Sequence, residues 1–158
     1  MAIQLVPTNK LYHGYKEELH NMYEKYFLHD GNPLLWKNTP ICRFAMDYVK
    51  IGNKVLDEDF LNKSPFILFE YERYFDADSV KNDTHKYNAA KRLMKVVDSV
   101  KKHGYAEGKF DRSKHLIRVK KGFASPYGDD SDGFTLVARK HKTSAAVALG
   151  MKKMRAQY

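Results

Sequence analysis

Between residues 134 and 151 the chain reads FTLVARKHKTSAAVALGM, and this passage constrains the fold more than any other. It begins with aromatic and β-branched residues, the composition of a strand, and ends in a run of small residues suited to a closely packed helix. Arg139, Lys140, His141 and Lys142, the densest positive charge in the chain, stand at the junction. A helix start carries unpaired backbone N–H groups and a partial positive charge, which makes it an anion site. Thr143 or Ser144 would cap that helix or turn a hydroxyl toward a phosphate. Arg139 would supply a planar fork for two phosphate oxygens, Lys140 and Lys142 point charges, and His141 a switchable donor. No glycine lies between 134 and 149, so a phosphate held here would be gripped by side chains more than by backbone.

Upstream, the periodicity predicts a helix over 15–28, stopped by HDGNP at 29–33. The stretch 41–50 reads as a helix or an extended strip, 53–65 as loop and short helix, and FILFEYERYF at 66–75 as a strand or an amphipathic turn. The polar, turn-rich residues 76–85 form a boundary. Beyond it, 86–105 predicts a helix whose apolar stripe holds Ala89, Ala90, Leu93, Met94, Val96, Val97 and Val100, ended by Gly104. Residues 115–122 and 134–139 read as two strands joined by the polar turn 123–133, and 143–154 as a short helix broken or capped by Gly150. The order is α+β: a small mixed sheet with flanking helices.

Charge divides the chain at the same boundary. Residues 86–158 hold 18 Lys and Arg against 6 Asp and Glu, a net of +12, whereas residues 1–85 carry a net of −3. A half charged in this way suits a polyanion, because Lys and Arg bind phosphates with release of counterions. The expected organisation is therefore a mainly helical, acidic and aromatic N-terminal extension, 1–85, packed on a basic core, 86–158. Lys91, Arg92 and Lys95 on helix 86–103 extend the basic face of the 139–142 turn. An apolar fraction of 43% supports a proper core. No run of about 18 apolar residues suits a membrane span, and the first residues lack a basic-then-apolar signal pattern, so the cytoplasm is the expected compartment. Cys42 stands alone and reads as a small buried hydrophobe; neither it nor the seven scattered histidines give a zinc spacing. In GDDSDG, 128–133, Asp129, Asp130 and Asp132 are the nearest candidates for a metal, but the glutamate that closes a calcium loop is missing and a hairpin turn is the expectation.

Within residues 86–156, the run from RLMKVVDSVKKHGY through LIRVKK to FTLVARKHKTSAAVALGMKKMRA resembles the ParB/sulfiredoxin-like domain, often called a ParB-like nuclease domain. Val97, Ser99, Val100 and Gly104 stand in the family's helix pattern, Leu116 to Val119 in its first strand, and Leu136 to Ala138 in its second. His141 and Lys142 fall where the family has a His-Arg or Arg-Arg pair, with Ala145, Ala146, Leu149 and Gly150 in the helix that follows. Two positions depart. The turn's usual glycine falls at Arg139, and the reactive cysteine of sulfiredoxins falls at Lys140, which excludes a sulfinic-acid reductase. The resemblance implies phosphate contact at His141 and Lys142, extended to Arg139, Lys140, Thr143 and Ser144, and as ligands CTP or ATP with Mg²⁺, or DNA. The expected function is thus binding of nucleotide or DNA phosphates through the basic strand-turn-helix. A Mg²⁺-dependent nuclease, a nucleotide-using phosphotransferase, and an inactive module that binds a protein partner through residues 1–85 are the alternatives.

Overall fold

A computed structural model describes residues 3–75, 79–80, 83–103 and 116–158. Five strands, β1 (Ile3–Pro7), β2 (Leu11–His13), β3 (Ile117–Phe123), β4 (Asp130–Ala138) and β5 (Lys153–Gln157), form one mixed sheet in the order β1-β5-β3-β4-β2. The β1–β5 and β3–β4 pairs are antiparallel; β3–β5 and β2–β4 are parallel. The α+β expectation and the pairing of the two predicted strands hold. The N-terminal half is more than a helical extension, however. β1 and β2 occupy both edges of the sheet whose interior comes from the basic half, so residue 85 divides charge and not structure. These strands escaped the pattern because IQLVP exposes Ile3 and Leu5 while burying Val6, and LYH is only three residues long.

Among the described residues the α-helices are α1 (His20–Tyr26), α2 (Pro40–Ile51), α3 (Glu58–Lys63), α4 (Pro65–Tyr74), α5 (His85–His103) and α6 (Lys140–Ala148). The stretch 41–50 is thus helical. Thr39 caps α2, its Oγ1 accepting from the Cys42 N–H at 3.4 Å, and Pro40 stands in the first turn, where its missing N–H costs nothing. Residues 66–75, read as a strand or turn, are instead the helix α4, with Pro65 setting its first turn. Phe66, Ile67 and Tyr71 are buried at helical spacing, and packing overrides the strand preference of these residue types. α5 confirms the long amphipathic helix; Gly104 lies outside the described residues.

α6 begins at Lys140, three residues before its predicted start, and stops at Ala148; the last residues of the predicted helix belong to β5. Gly150 terminates it at φ 85°, with Met151 N–H donating to the Ala146 carbonyl and Gly150 N–H to that of Val147, each at 3.0 Å. This paired C-cap needs a left-handed residue, which glycine adopts without steric cost. Ala145 and Ala146, fully buried, let α6 lie close against α2 and α5.

Helices cover one face of the sheet around Val6, Ile117, Val119, Leu136, Met154 and Ala156, with Leu93, Val97 and Ala146 facing them in a continuous core. A second cluster, holding Tyr12, Tyr23, Phe27, Leu34 and Phe123, closes the β2 edge. Gly133 leaves room there: a Cβ would lie 2.7 Å from the Tyr12 ring. Cys42 is fully buried, and burial pushes its thiol up to about 12, so it packs as a hydrophobe. Among the described residues no helix is long and apolar enough to cross a membrane.

Candidate ligand pocket at the start of α6

Where β2 ends, α6 begins and α4 and α5 pass, the chain encloses a pocket of about 180 Å³. Its walls are apolar and largely aromatic, with Phe27, Trp36, Ile41, Phe66 and Phe69. Arg73, Arg92 and Lys140 supply the cationic part, and His141, His85 and the acidic Glu70 complete the polar lining. Three of the predicted residues, Arg92, Lys140 and His141, therefore converge although about 50 positions separate them in sequence.

The basic groups disfavour one another's protonation. Burial lowers the Lys140 pKa first, and the charges of Arg73 and Lys16 lower it further. Burial, Arg92 and Lys140 lower that of His141, with Glu70 opposing. Glu70 Oε1 also lies 3.5 Å from His85 Nε2. Positive charge gathered against its own repulsion, over a low-dielectric wall and at the positive end of a helix, suits an anion.

At the inner wall lies His13, only 9% exposed. It neighbours Leu136 across the β2–β4 register and so points to the helix-covered face. Its Nδ1 is 2.7 Å from the Gly14 carbonyl. A carbonyl only accepts, so the proton sits on Nδ1 and, in the neutral ring, Nε2 carries a bare lone pair. Burial pushes the His13 pKa down to about 4 against the raising effect of the Gly14 bond, with Lys140, Arg73 and Lys16 adding to the depression. The ring stacks on Trp36 and meets Tyr23 and Phe27 edge-on.

The remaining predicted residues separate into three groups. Thr143 and Ser144 are fully buried inside α6 and do not cap it. Thr143 Oγ1 donates to the Arg139 carbonyl and Ser144 Oγ to that of Lys140, both at 2.8 Å; Ser144 Oγ also accepts from Trp36 Nε1 at 3.0 Å. Their hydroxyls are used within the fold, and neither caps the helix, which corrects the capping expectation. The N-cap is Arg139, at φ 76° and ψ 46°, the one non-glycine left-handed residue among those described. Its side chain is exposed and does not line the pocket, nor does that of the half-buried Lys142.

Lys91 and Lys95 also lie outside it. They line a depression between α5 and the end of α2, where Tyr48 donates to Asp98 Oδ1 at 2.7 Å. The acidic loop is structural. Asp130 accepts from Tyr12 at 2.8 Å and Lys10 at 3.1 Å, which lowers its pKa, while Asp129 accepts from the Ser125 N–H at 3.1 Å. Asp132 is exposed, and its N–H donates to Asp130 Oδ1. No metal-holding group of three or more His, Cys, Asp or Glu occurs among the described residues.

Sequence reasoning missed His13, Glu70, Arg73 and His85. A helical reading of 66–75 would have found Glu70 and Arg73, which stand one turn apart in EYER. His13, in a three-residue strand, carries no local signal. The chain matches no family model, no curated protein and no solved structure.

Proposed function

We infer that the chain binds a small phosphorylated ligand of the nucleotide class in this pocket, with the anion at Arg73, Arg92, Lys140 and His141 and the uncharged part against the aromatic wall. The observation that carries the reading is the convergence of these four groups on the first turn of α6, over an apolar pocket. His13 Nε2 supplies a hydrogen-bond acceptor for an N–H or O–H of the buried part. With its proton affinity held so low it serves as a binding group, since a general base works best near the operating pH.

The resemblance to ParB/sulfiredoxin-like domains supports the same reading. The family's glycine aligns with Arg139, and Arg139 adopts the left-handed conformation that glycine favours. The turn geometry is thus compatible with that of the family, while its phosphate contacts pass to side chains. A pocket of about 180 Å³ is too small for a duplex and would enclose only part of a mononucleotide, the rest standing at its mouth.

The test is a thermal-shift series with CTP, ATP, CMP, AMP and inorganic phosphate, each with and without Mg²⁺. A ligand at about 100 times its Kd stabilises by about 2.7 kcal/mol, which raises Tm by about 5–10 °C for a chain of this size. Flat melting curves across the whole series would sink the reading.

A further inference from the structure

A second cationic surface lies on the other side of the sheet. Alternation along β3 buries Ile117 and Val119 and turns Arg118 and Lys120 outward; along β5 it buries Met154 and Ala156 and turns out Lys153, Arg155 and Gln157. β3 and β5 run parallel, with Arg118 beside Gln157. The cations therefore form a row. Lys153 and Arg155 lead up β5 to Gln157, and Arg118 and Lys120 continue it on the adjacent strand. With about 6.6 Å between alternate residues of a strand, the row runs for about 20 Å. No carboxylate occurs on β1, β3 or β5. The acids of β4 stand at its far end, where Asp130 pairs with Phe123 and is tied to Tyr12 and Lys10.

We propose that this open face of the sheet holds the backbone of a nucleic-acid duplex, gripped through its phosphates. Three features select that occupant. The charge is a line and not a cluster, which matches a linear polyanion better than a compact phosphate. The cations occupy the two strands at the middle of the exposed face, and the aliphatic Ile3, Leu5 and Val137 lie at its margins; a membrane-seeking surface would instead insert its apolar residues and ring them with cations. No aromatic side chain points outward from β1, β3 or β5, so nothing there stacks on an unpaired base, as single-strand binders require. The contacts are to backbone only, and binding is indifferent to base sequence. The site is independent of the pocket, which opens on the helix-covered side.

The experiment is fluorescence anisotropy of labelled DNA duplexes of two unrelated sequences across a salt series. Wild type binds both equally, with log K falling against log salt at a slope of about −3.6 for four phosphate contacts. The double reversal Arg118→Glu/Lys120→Glu weakens binding by at least about tenfold at low salt and brings the slope to about −1.8. Unchanged circular dichroism and melting of that variant show that it folds; the milder pair Arg118→Gln/Lys120→Gln shows the same trend if the reversal does not. Arg73→Gln in the pocket leaves duplex affinity unchanged. The proposal is overturned by absence of duplex binding at low salt, by wild-type affinity in a folded reversal variant, by tighter binding to a single strand, or by preference for phosphatidylglycerol vesicles over duplex.

Discussion

The rings of His13 and Trp36 stack with centroids 5.9 Å apart and planes 11° from parallel, and the indole is held in turn by Ser144 at 3.0 Å. A hydroxyl buried in α6 thereby sets the position of a histidine at the end of β2. The pocket wall between them follows from this contact and from the Gly14 carbonyl that fixes the imidazole tautomer.

Ser144→Ala tests that linkage. It leaves the buried indole N–H without its acceptor, so the variant is destabilised by about 1–3 kcal/mol in chemical denaturation. Ligand-induced thermal stabilisation falls with it, because Trp36 and His13 lose their fixed placement. Ser144→Thr keeps the oxygen and restores part of both. Unchanged stability in the alanine variant would show that the Trp36 bond contributes nothing.

Arg139→Gly addresses the turn itself. A non-glycine residue in the left-handed region costs about 1–2 kcal/mol, while glycine adds disorder to the unfolded chain that opposes about 0.5–1 kcal/mol of the relief. The glycine variant is therefore as stable as wild type or slightly more so. Arg139→Val, β-branched at the same φ of 76°, loses stability. Urea midpoints of the two variants check the order, and a glycine variant clearly less stable than the valine one contradicts it.

These residues also mark what sequence can and cannot show. α5 was legible because Ala89, Leu93, Met94 and Val97 repeat at helical spacing over several turns, and β3 and β4 because each alternates and a turn-rich stretch joins them. α4 was not, because Phe, Ile and Tyr prefer strands locally and only Pro65 hinted at a helix start. Lys140 and His141 drew notice by their charge at a strand-to-helix junction and Arg92 by its charge on α5. Their partners Arg73 and His13 reach the pocket through helix packing and strand pairing, which no window of neighbouring residues encodes.

His13 makes stability depend on pH, with a definite sign. Its folded pKa lies near 4 against an ordinary value of 6.5, so between these limits the unfolded chain binds the extra proton. Stability is complete above about pH 6.5 and falls as the pH drops through 4, by about 3 kcal/mol in all at 1.36 kcal/mol per unit. His141, also depressed, contributes with the same sign. His13→Gln removes the larger part of this dependence. Urea denaturation of both proteins at about pH 7 and pH 4.5 measures it, and parallel losses on acidification would assign the effect to other groups.

Arg73 separates a binding role from a structural one. Its charge lowers the proton affinity of both His13 and Lys140, so in the unliganded protein it stands among like charges. Arg73→Gln keeps much of the side-chain volume and removes that repulsion. The unliganded variant therefore melts at the same temperature as wild type or higher, and its Lys140 ammonium titrates at higher pH. A ligand anion, however, loses one of its cationic partners, and the thermal shift by nucleotide shrinks. Stability and binding thus move in opposite directions, a result that general unfolding of the pocket cannot produce. Loss of both together, measured by melting with and without nucleotide, would instead make Arg73 a structural residue.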